Sequence, residues 1–251
     1  MPSPSPSPYL LQPGRRHDLM LLCDHAGNQV PDDLDGLGLD ARELARHIGW
    51  DLGALAVARI LAERFDAPLW GCLDSRLLAD PNRSPDHPDL ILAQSEGTFV
   101  PGNERLPQPA REARIARFHR PYHDALEQAV EERLGRGARP FLLSIHSFEP
   151  VYAGLPRPWP VGVLWKKSDA LARRVVAALE RRVDPVGCNE PYDGRVALGH
   201  TLETHAIPRG LPQLLIEIRN DGIADAAGQQ HWAKLIGAAL EAALPEFIDP
   251  R

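Results

Sequence analysis

Short apolar runs alternate with helical periodicity along most of this chain, and that alternation constrains the fold more than any other feature. Residues 17–23 (His-Asp-Leu-Met-Leu-Leu-Cys) form a run of strand length that ends in Asp24-His25-Ala26-Gly27-Asn28, which is turn chemistry. Over 40–65, Leu44, Ile48, Leu52, Leu55 and Ile60 fall near a 3.6-residue spacing, which predicts one helix with Asp40 as its N-cap. Strand character returns at 67–73, 140–145, 160–165 and 212–218. Helical patterns are predicted over 109–134, over 169–182 with Ser168 as a cap, and over 224–244. This order predicts an α/β fold, with a mixed, mostly parallel central sheet flanked by helices on both faces.

No internal repeat or linker divides the chain, so a single domain is expected over 14–251, preceded by a flexible or extended Ser/Pro tail at 1–13. A long proline-rich excursion covers 80–109; segments of that length inside a compact domain are usually functional or mobile, which makes 84–109 a candidate cover for a site. The Arg-rich helix at 109–134 also carries Glu112, Glu127, Glu131 and Glu132, so it reads as a solvated mixed-charge face, with His119, Tyr122 and His123 in packing or hydrogen-bonding roles. The net charge of −6 lacks the footprint of a nucleic-acid partner, and no apolar run approaches the roughly 18 residues of a membrane span. Three cysteines, Cys23, Cys72 and Cys188, show no metal-like spacing, so buried free thiols and a cytoplasmic location are expected.

Ligands of open α/β sheets bind beyond the carboxyl ends of strands, so the polar residues there carry the functional reading. His25 follows the first buried run, His146 closes the run at 140–145, and Glu217 interrupts the apolar run at 212–218. Each alone also fits a structural role, a hydrogen-bonded histidine or a carboxylate paired with an arginine. Together, two imidazoles and one carboxylate form the minimal set of a metal hydrolase, in which the metal lowers the pKa of water and the carboxylate accepts its proton.

Asp80-Pro81-Asn82-Arg83 is a plain turn by composition, yet Arg83 offers a planar fork for a carboxylate, with Asn82 as a donor beside it and Arg76 as a second positive group. The loop at 189–195, with Asp193 and Arg195, is similarly rich in polar groups, and His205 and Arg219 lie near other strand or helix ends. His47 and Asp51, four residues apart, are expected on one helix face as a surface or cap pair, with Asp51 also able to orient a ligand histidine.

These motifs together resemble the N-formylglutamate amidohydrolase family. The resemblance runs from about residue 18 to about 245 and rests on 23–31, 47–54, 75–83, 121–123, 144–148, 189–195, 201–206 and 215–221. That family looks related to zinc carboxypeptidases and acyl-amino-acid deacylases, which implies a phosphorylase/hydrolase-like sheet of the zinc-exopeptidase type. Carried over, His25 and His146 become ligands of a divalent metal, zinc by the resemblance. Asn82 and Arg83 become the clamp for a substrate carboxylate, and Glu217 becomes the catalytic base. Asn28 stands where those relatives place a glutamate ligand, and Asp24 or Asp51 is the candidate substitute.

The resemblance implies an amidohydrolase that cleaves an N-acyl amino acid, N-formyl-L-glutamate to formate and glutamate, in histidine degradation. Arg76, Arg195, Arg219, Asp193 and His205 are candidates for further contacts with this small carboxylate substrate. The alternatives are a carboxylate- or peptide-binding module on the same fold without catalysis, or a peptidase or deacylase acting on a larger amide.

Overall fold

The computed structural model describes residues 7–244. Its centre is a seven-stranded sheet of β1 (Leu10–Gln12), β2 (Leu19–Cys23), β3 (Leu69–Gly71), β4 (Phe141–Phe148), β5 (Val161–Leu164), β6 (Val186–Cys188) and β7 (Gln213–Arg219), in the order β1-β3-β2-β4-β7-β5-β6. The block β3-β2-β4-β7 is parallel throughout. β1 joins one edge antiparallel, and β5 joins β7 antiparallel and carries β6 parallel to itself. Strands buried on both faces read as continuous apolar runs, which is why β2, β4 and β7 stand out in the sequence.

Both faces are covered by helices. Leu21, Leu143, Ile145, Ile216 and Ile218 face a layer made of α2 (Ala54–Phe65), α5 (Asp169–Leu179) and α7 (Ala226–Ala243). Met20, Leu22, Leu142 and Leu215 face α4 (Arg120–Gly135) and α6 (His200–His205). The short helices α1 (Ala41–Leu44) and α3 (Gln108–Arg114) lie outside this sandwich, and a π-helical turn at Ile115–His119 joins α3 to α4.

Several expectations need correction. The helix foreseen over 40–65 is two helices: the first ends at Leu44, residues 45–53 are non-helical, and the second starts after Gly53, whose φ of 77° is left-handed. Asp40 does cap α1, in a reciprocal capping box with Glu43. Ser168 makes no side-chain cap; its hydroxyl accepts from the Gln213 amide at 3.1 Å instead. The expected tail at 1–13 reaches too far: residues 1–6 lie outside the described residues, and Leu10–Gln12 pair with β3. Cys23 and Cys72 are buried free thiols as expected, but Cys188 is exposed.

The excursion after β3 shares a small core with Leu37 and Ile48 from the segment before α2. Leu77, Leu78, Leu90 and Val100 pack with Ile115 and Phe118. The buried Asn103 amide donates to the Leu77 and Leu92 carbonyls, each at 2.8 Å. Arg111 donates to the Pro85 and His87 carbonyls. Among the described residues, no helix is long and apolar enough to cross a membrane.

Candidate active site

Side chains alternate between the two faces of a strand. On β4, Phe141, Leu143 and Ile145 face the α2/α5/α7 layer, so Ser144 and His146 face α4 and α6. β7 repeats the pattern, and the parallel register sets Glu217 directly opposite His146. On the other side of Glu217 the antiparallel register sets Gly162. A Cβ at Gly162 would fall 1.8 Å from the Glu190 carbonyl oxygen, so the missing side chain lets the loop after β6 close over this end of the sheet.

His25, His146 and Asp51 are buried together, with one ligating atom from each within 4.8 Å of the others. Asp51 Oδ2 lies 2.8 Å from His146 Nδ1 and 3.3 Å from His25 Nδ1. The outward nitrogens are held by further carboxylates, His25 Nε2 by Asp80 at 2.7 Å and His146 Nε2 by Asp24 at 3.0 Å. Asp24 is in turn fixed by the hydroxyls of Tyr122, Thr201 and Ser144, all of which donate to it. Arg76 bridges Asp51 and Asp80.

Burial opposes the charged form of every one of these groups, yet the opposite charges prevail. Asp24, Asp51 and Asp80 lie below the usual carboxylate range, drawn down chiefly by hydrogen bonds and charge from His146, His25 and Arg76. His25 and His146 are raised by the same aspartates. Three ionised aspartates against one guanidinium leave two negative charges in a buried site, which two ring protons or one divalent cation would balance. The donor set fits the cation: two imidazoles and one carboxylate, each ring oriented by an outer carboxylate, as in metal-binding histidines generally.

Glu217 differs from the aspartates. Its Oε2 is buried and has no hydrogen-bond partner among the described residues, and burial pushes its pKa up to about 7 against the pull of His146. Burial and the charge of Glu217 together push the Tyr192 phenol up to about 12. Glu217 binds its proton more tightly in the folded than in the unfolded chain, where 4.5 is the ordinary value. The folded protein therefore holds the extra proton between about pH 4.5 and 7, and the stability due to this group falls as pH rises through that window. The stability of metal-stripped Glu217→Gln relative to the parent chain is expected to rise by up to about 3 kcal/mol from pH 4.5 to 8. Denaturant unfolding at both pH values checks this; a pH-independent difference would show that Glu217 keeps one protonation state.

The other residues singled out in the sequence are distributed unevenly. The Asn28 side-chain amide donates to the Leu44 carbonyl at 3.0 Å, and the oxygen between the two rings belongs to Asp51. His47 and Asp51 are buried and not on a helix face, with His47 Nδ1 3.8 Å from Asp51 Oδ1. Asn82 uses its carbonyl to accept from the Thr201 amide at the start of α6. The Arg83 guanidinium, half-buried, has no hydrogen-bonding or ion-pair partner among the described residues. Arg195 is exposed and paired with Asp193, and Arg219 is paired with Asp221 while donating to the Arg157 and Pro158 carbonyls. His205 sits between Glu127 and His123. Sequence reasoning missed Asp80 and the three hydroxyls on Asp24; the four-residue spacing of Arg76 and Asp80 was the available signal for the former.

A mixed, mostly parallel sheet with histidines and carboxylates gathered toward the carboxyl ends of its strands is an α/β architecture with a candidate site where such sheets bind ligands. Residues 17–224 match the N-formylglutamate amidohydrolase family, and the chain belongs to it. It is an amidohydrolase by that membership. A crystal structure of an Agrobacterium tumefaciens gene product is similar at 38% identity, with a TM-score of 0.88 and 92% of each chain covered. The crystal structure of N-formylglutamate amidohydrolase from Ralstonia eutropha JMP134 shares the fold at 22% identity, with a TM-score of 0.66 over 94% of this chain and 96% of that one. No curated protein matches the chain.

Proposed function

We propose that the chain hydrolyses the amide of an N-acyl amino acid, with N-formyl-L-glutamate as substrate and Glu217 as general base. The observation that carries this reading is Glu217 itself, a buried carboxylate with a free oxygen and a pKa near 7, in register with His146. A base poised near neutral pH both accepts and returns a proton efficiently. The Ralstonia eutropha enzyme, named for N-formylglutamate, supports the choice of substrate.

His25, His146 and Asp51 would hold a divalent metal, with zinc suited to the donor set. When bound, such an ion supplies Lewis acidity, polarising the acyl carbonyl and lowering the pKa of water toward about 7. Asp24 and Asp80 keep the two rings oriented, so that Nδ1 of each faces Asp51. Glu217 Oε2 takes a proton from the attacking water as its oxygen bonds to the acyl carbon. It then delivers that proton to the amide nitrogen as the C–N bond breaks, giving formate and glutamate. The burial of Glu217 limits competing water.

Arg83, with its guanidinium unengaged, is assigned the α-carboxylate of the substrate. Arg76 is not available for that role because Asp51 and Asp80 already hold it, and it serves to position both. Arg83→Lys is expected to raise KM by about 10–100-fold with kcat changed little, since an ammonium cannot reproduce a bidentate fork. Steady-state kinetics on N-formyl-L-glutamate measure it, and an unchanged KM would move the clamp elsewhere. Turnover of N-formyl and N-acetyl amino acids, run alongside metal content, tests the reading as a whole. Binding of the carboxylate without turnover, in metal-loaded protein, would favour a binding module.

A further inference from the structure

A second set of histidines lies outside the machinery described above. His119 ends the π-helical turn, His123 lies in the first turn of α4, and His200 begins α6. Their ring centroids are 4.4 Å (His119–His123), 4.9 Å (His123–His200) and 5.5 Å (His119–His200) apart. One ring nitrogen from each lies within 4.8 Å of the other two. We propose that His119, His123 and His200 form a second metal site that takes one divalent transition ion, independently of His25, Asp51 and His146.

The tautomers favour this assignment. A carbonyl oxygen only accepts, so His119 donates its Nε2–H to the Arg83 carbonyl and His123 donates its Nε2–H to the Pro81 carbonyl, both at 2.8 Å. Nδ1 is then the basic nitrogen of each ring. An imidazole that gives its outer N–H to a backbone carbonyl and presents its other nitrogen to the ion is the arrangement common to metal-binding histidines, and at His123 that nitrogen is now met by His205. Burial keeps all three rings neutral, holding His123 down to about 3 and His200 to about 4 and lowering His119 as well. Neutral imidazole is the ligating form, so no proton has to leave before an ion enters.

The surroundings attract a cation. The charge of Asp80 acts on His119, and those of Asp24 and Glu203 act on His200, against the opposing charge of Arg120 on His119. His205 completes the group: its Nε2 lies 2.9 Å from His123 Nδ1, and its Nδ1 lies 3.1 Å from Glu127 Oε2. With His123 Nδ1 as acceptor, His205 donates from Nε2. Entry of an ion displaces that bond, and the His205 proton is then carried on Nδ1, where Glu127 accepts it. Three imidazoles without a carboxylate select zinc, cobalt, nickel or copper over magnesium or calcium, which prefer oxygen. His200 is only partly buried, which gives the ion its way in.

The test uses the full chain, stripped with a chelator, equilibrated with zinc(II) alone and freed of excess by gel filtration before metal is counted. The parent chain is expected to hold about two equivalents, one per site. His200→Ala should hold one equivalent fewer, and so should His119→Gln, whose amide can still donate to the Arg83 carbonyl. His146→Ala should lose the other equivalent and keep this one. In His146→Ala, zinc at about 100 times its Kd should raise Tm by about 5–10 °C, a shift absent when His200→Ala is added. Unchanged stoichiometry in both His200→Ala and His119→Gln overturns the proposal, as does a parent chain that binds no zinc. If His146→Ala removes all zinc, this site is refuted while the hydrolytic reading stands. If His200→Ala removes all zinc and His146→Ala removes none, this site stands and the metal assignment of the active site falls.

Discussion

Glu217→Gln is expected to lower kcat by roughly 10²–10⁴-fold, the usual contribution of a positioned general base. Glutamine keeps the shape of the side chain but cannot accept the proton of the attacking water. KM should change little, because the substrate carboxylate is assigned to Arg83. The zinc that His146→Ala removes should stay bound in this variant, since Glu217 is outside the ligand set. The effect on stability points the opposite way from the effect on rate. Glu217 Oε2 is buried without a hydrogen-bond partner among the described residues, so a neutral amide is expected to be tolerated at least as well above pH 7. A variant that turns over normally and melts lower would remove Glu217 from the base role and leave it a structural carboxylate.

Asp51→Asn should be the most damaging single substitution in the site. It places an amide where two imidazole Nδ1 atoms, the Ser147 amide and Arg76 now meet one carboxylate. The metal equivalent lost in His146→Ala should be lost here too, and activity with it. Asp24→Asn offers the contrast. Of the three proposed ligands Asp24 touches only His146, at its outer nitrogen, so its loss is expected to weaken metal affinity by about 10–100-fold while leaving full occupancy reachable at high metal. Removing one member of a buried charged group costs about 3–5 kcal/mol, so melting curves of both variants are needed beside the metal counts. Asp51→Asn protein with parental zinc and turnover would sink the ligand assignment.

The strands were legible in the sequence because burial on both faces leaves them no polar alternation, and the polar residues that interrupt them then stand out. His25, His146 and Glu217 were found in that way. Asp51 was named only beside Asp24, as a substitute ligand or an orienting carboxylate, and Asp80 was not found as a site residue, for two physical reasons. Asp51 lies in a stretch whose apolar spacing imitates a helix, although the chain leaves the helix at Leu44 and re-enters one only after Gly53. Asp80 belongs to a dipeptide whose turn chemistry explains it without reference to a site. The arginines mislead in a related way. A reading by composition counts Arg76, Arg195 and Arg219 as available cations, yet each is engaged by an aspartate two or four residues away. Arg83 is separated from this pattern only by what it fails to touch, and no local sequence signal carries that.

Four consecutive residues after the excursion's first turns answer to four different neighbours. Asp80 holds His25, the Pro81 carbonyl holds His123, the Asn82 side chain meets the first turn of α6, and the Arg83 carbonyl holds His119. A change of length here differs in kind from a change of residue. One inserted residue would shift every later partner by about 3.5 Å, more than a hydrogen bond tolerates, and would uncouple all of these contacts at once. Point substitutions can be absorbed one contact at a time. Among descendants of this fold the spacing between the aspartate and the arginine is therefore expected to be the most rigid ruler in the molecule, invariant in length even where its lettering drifts.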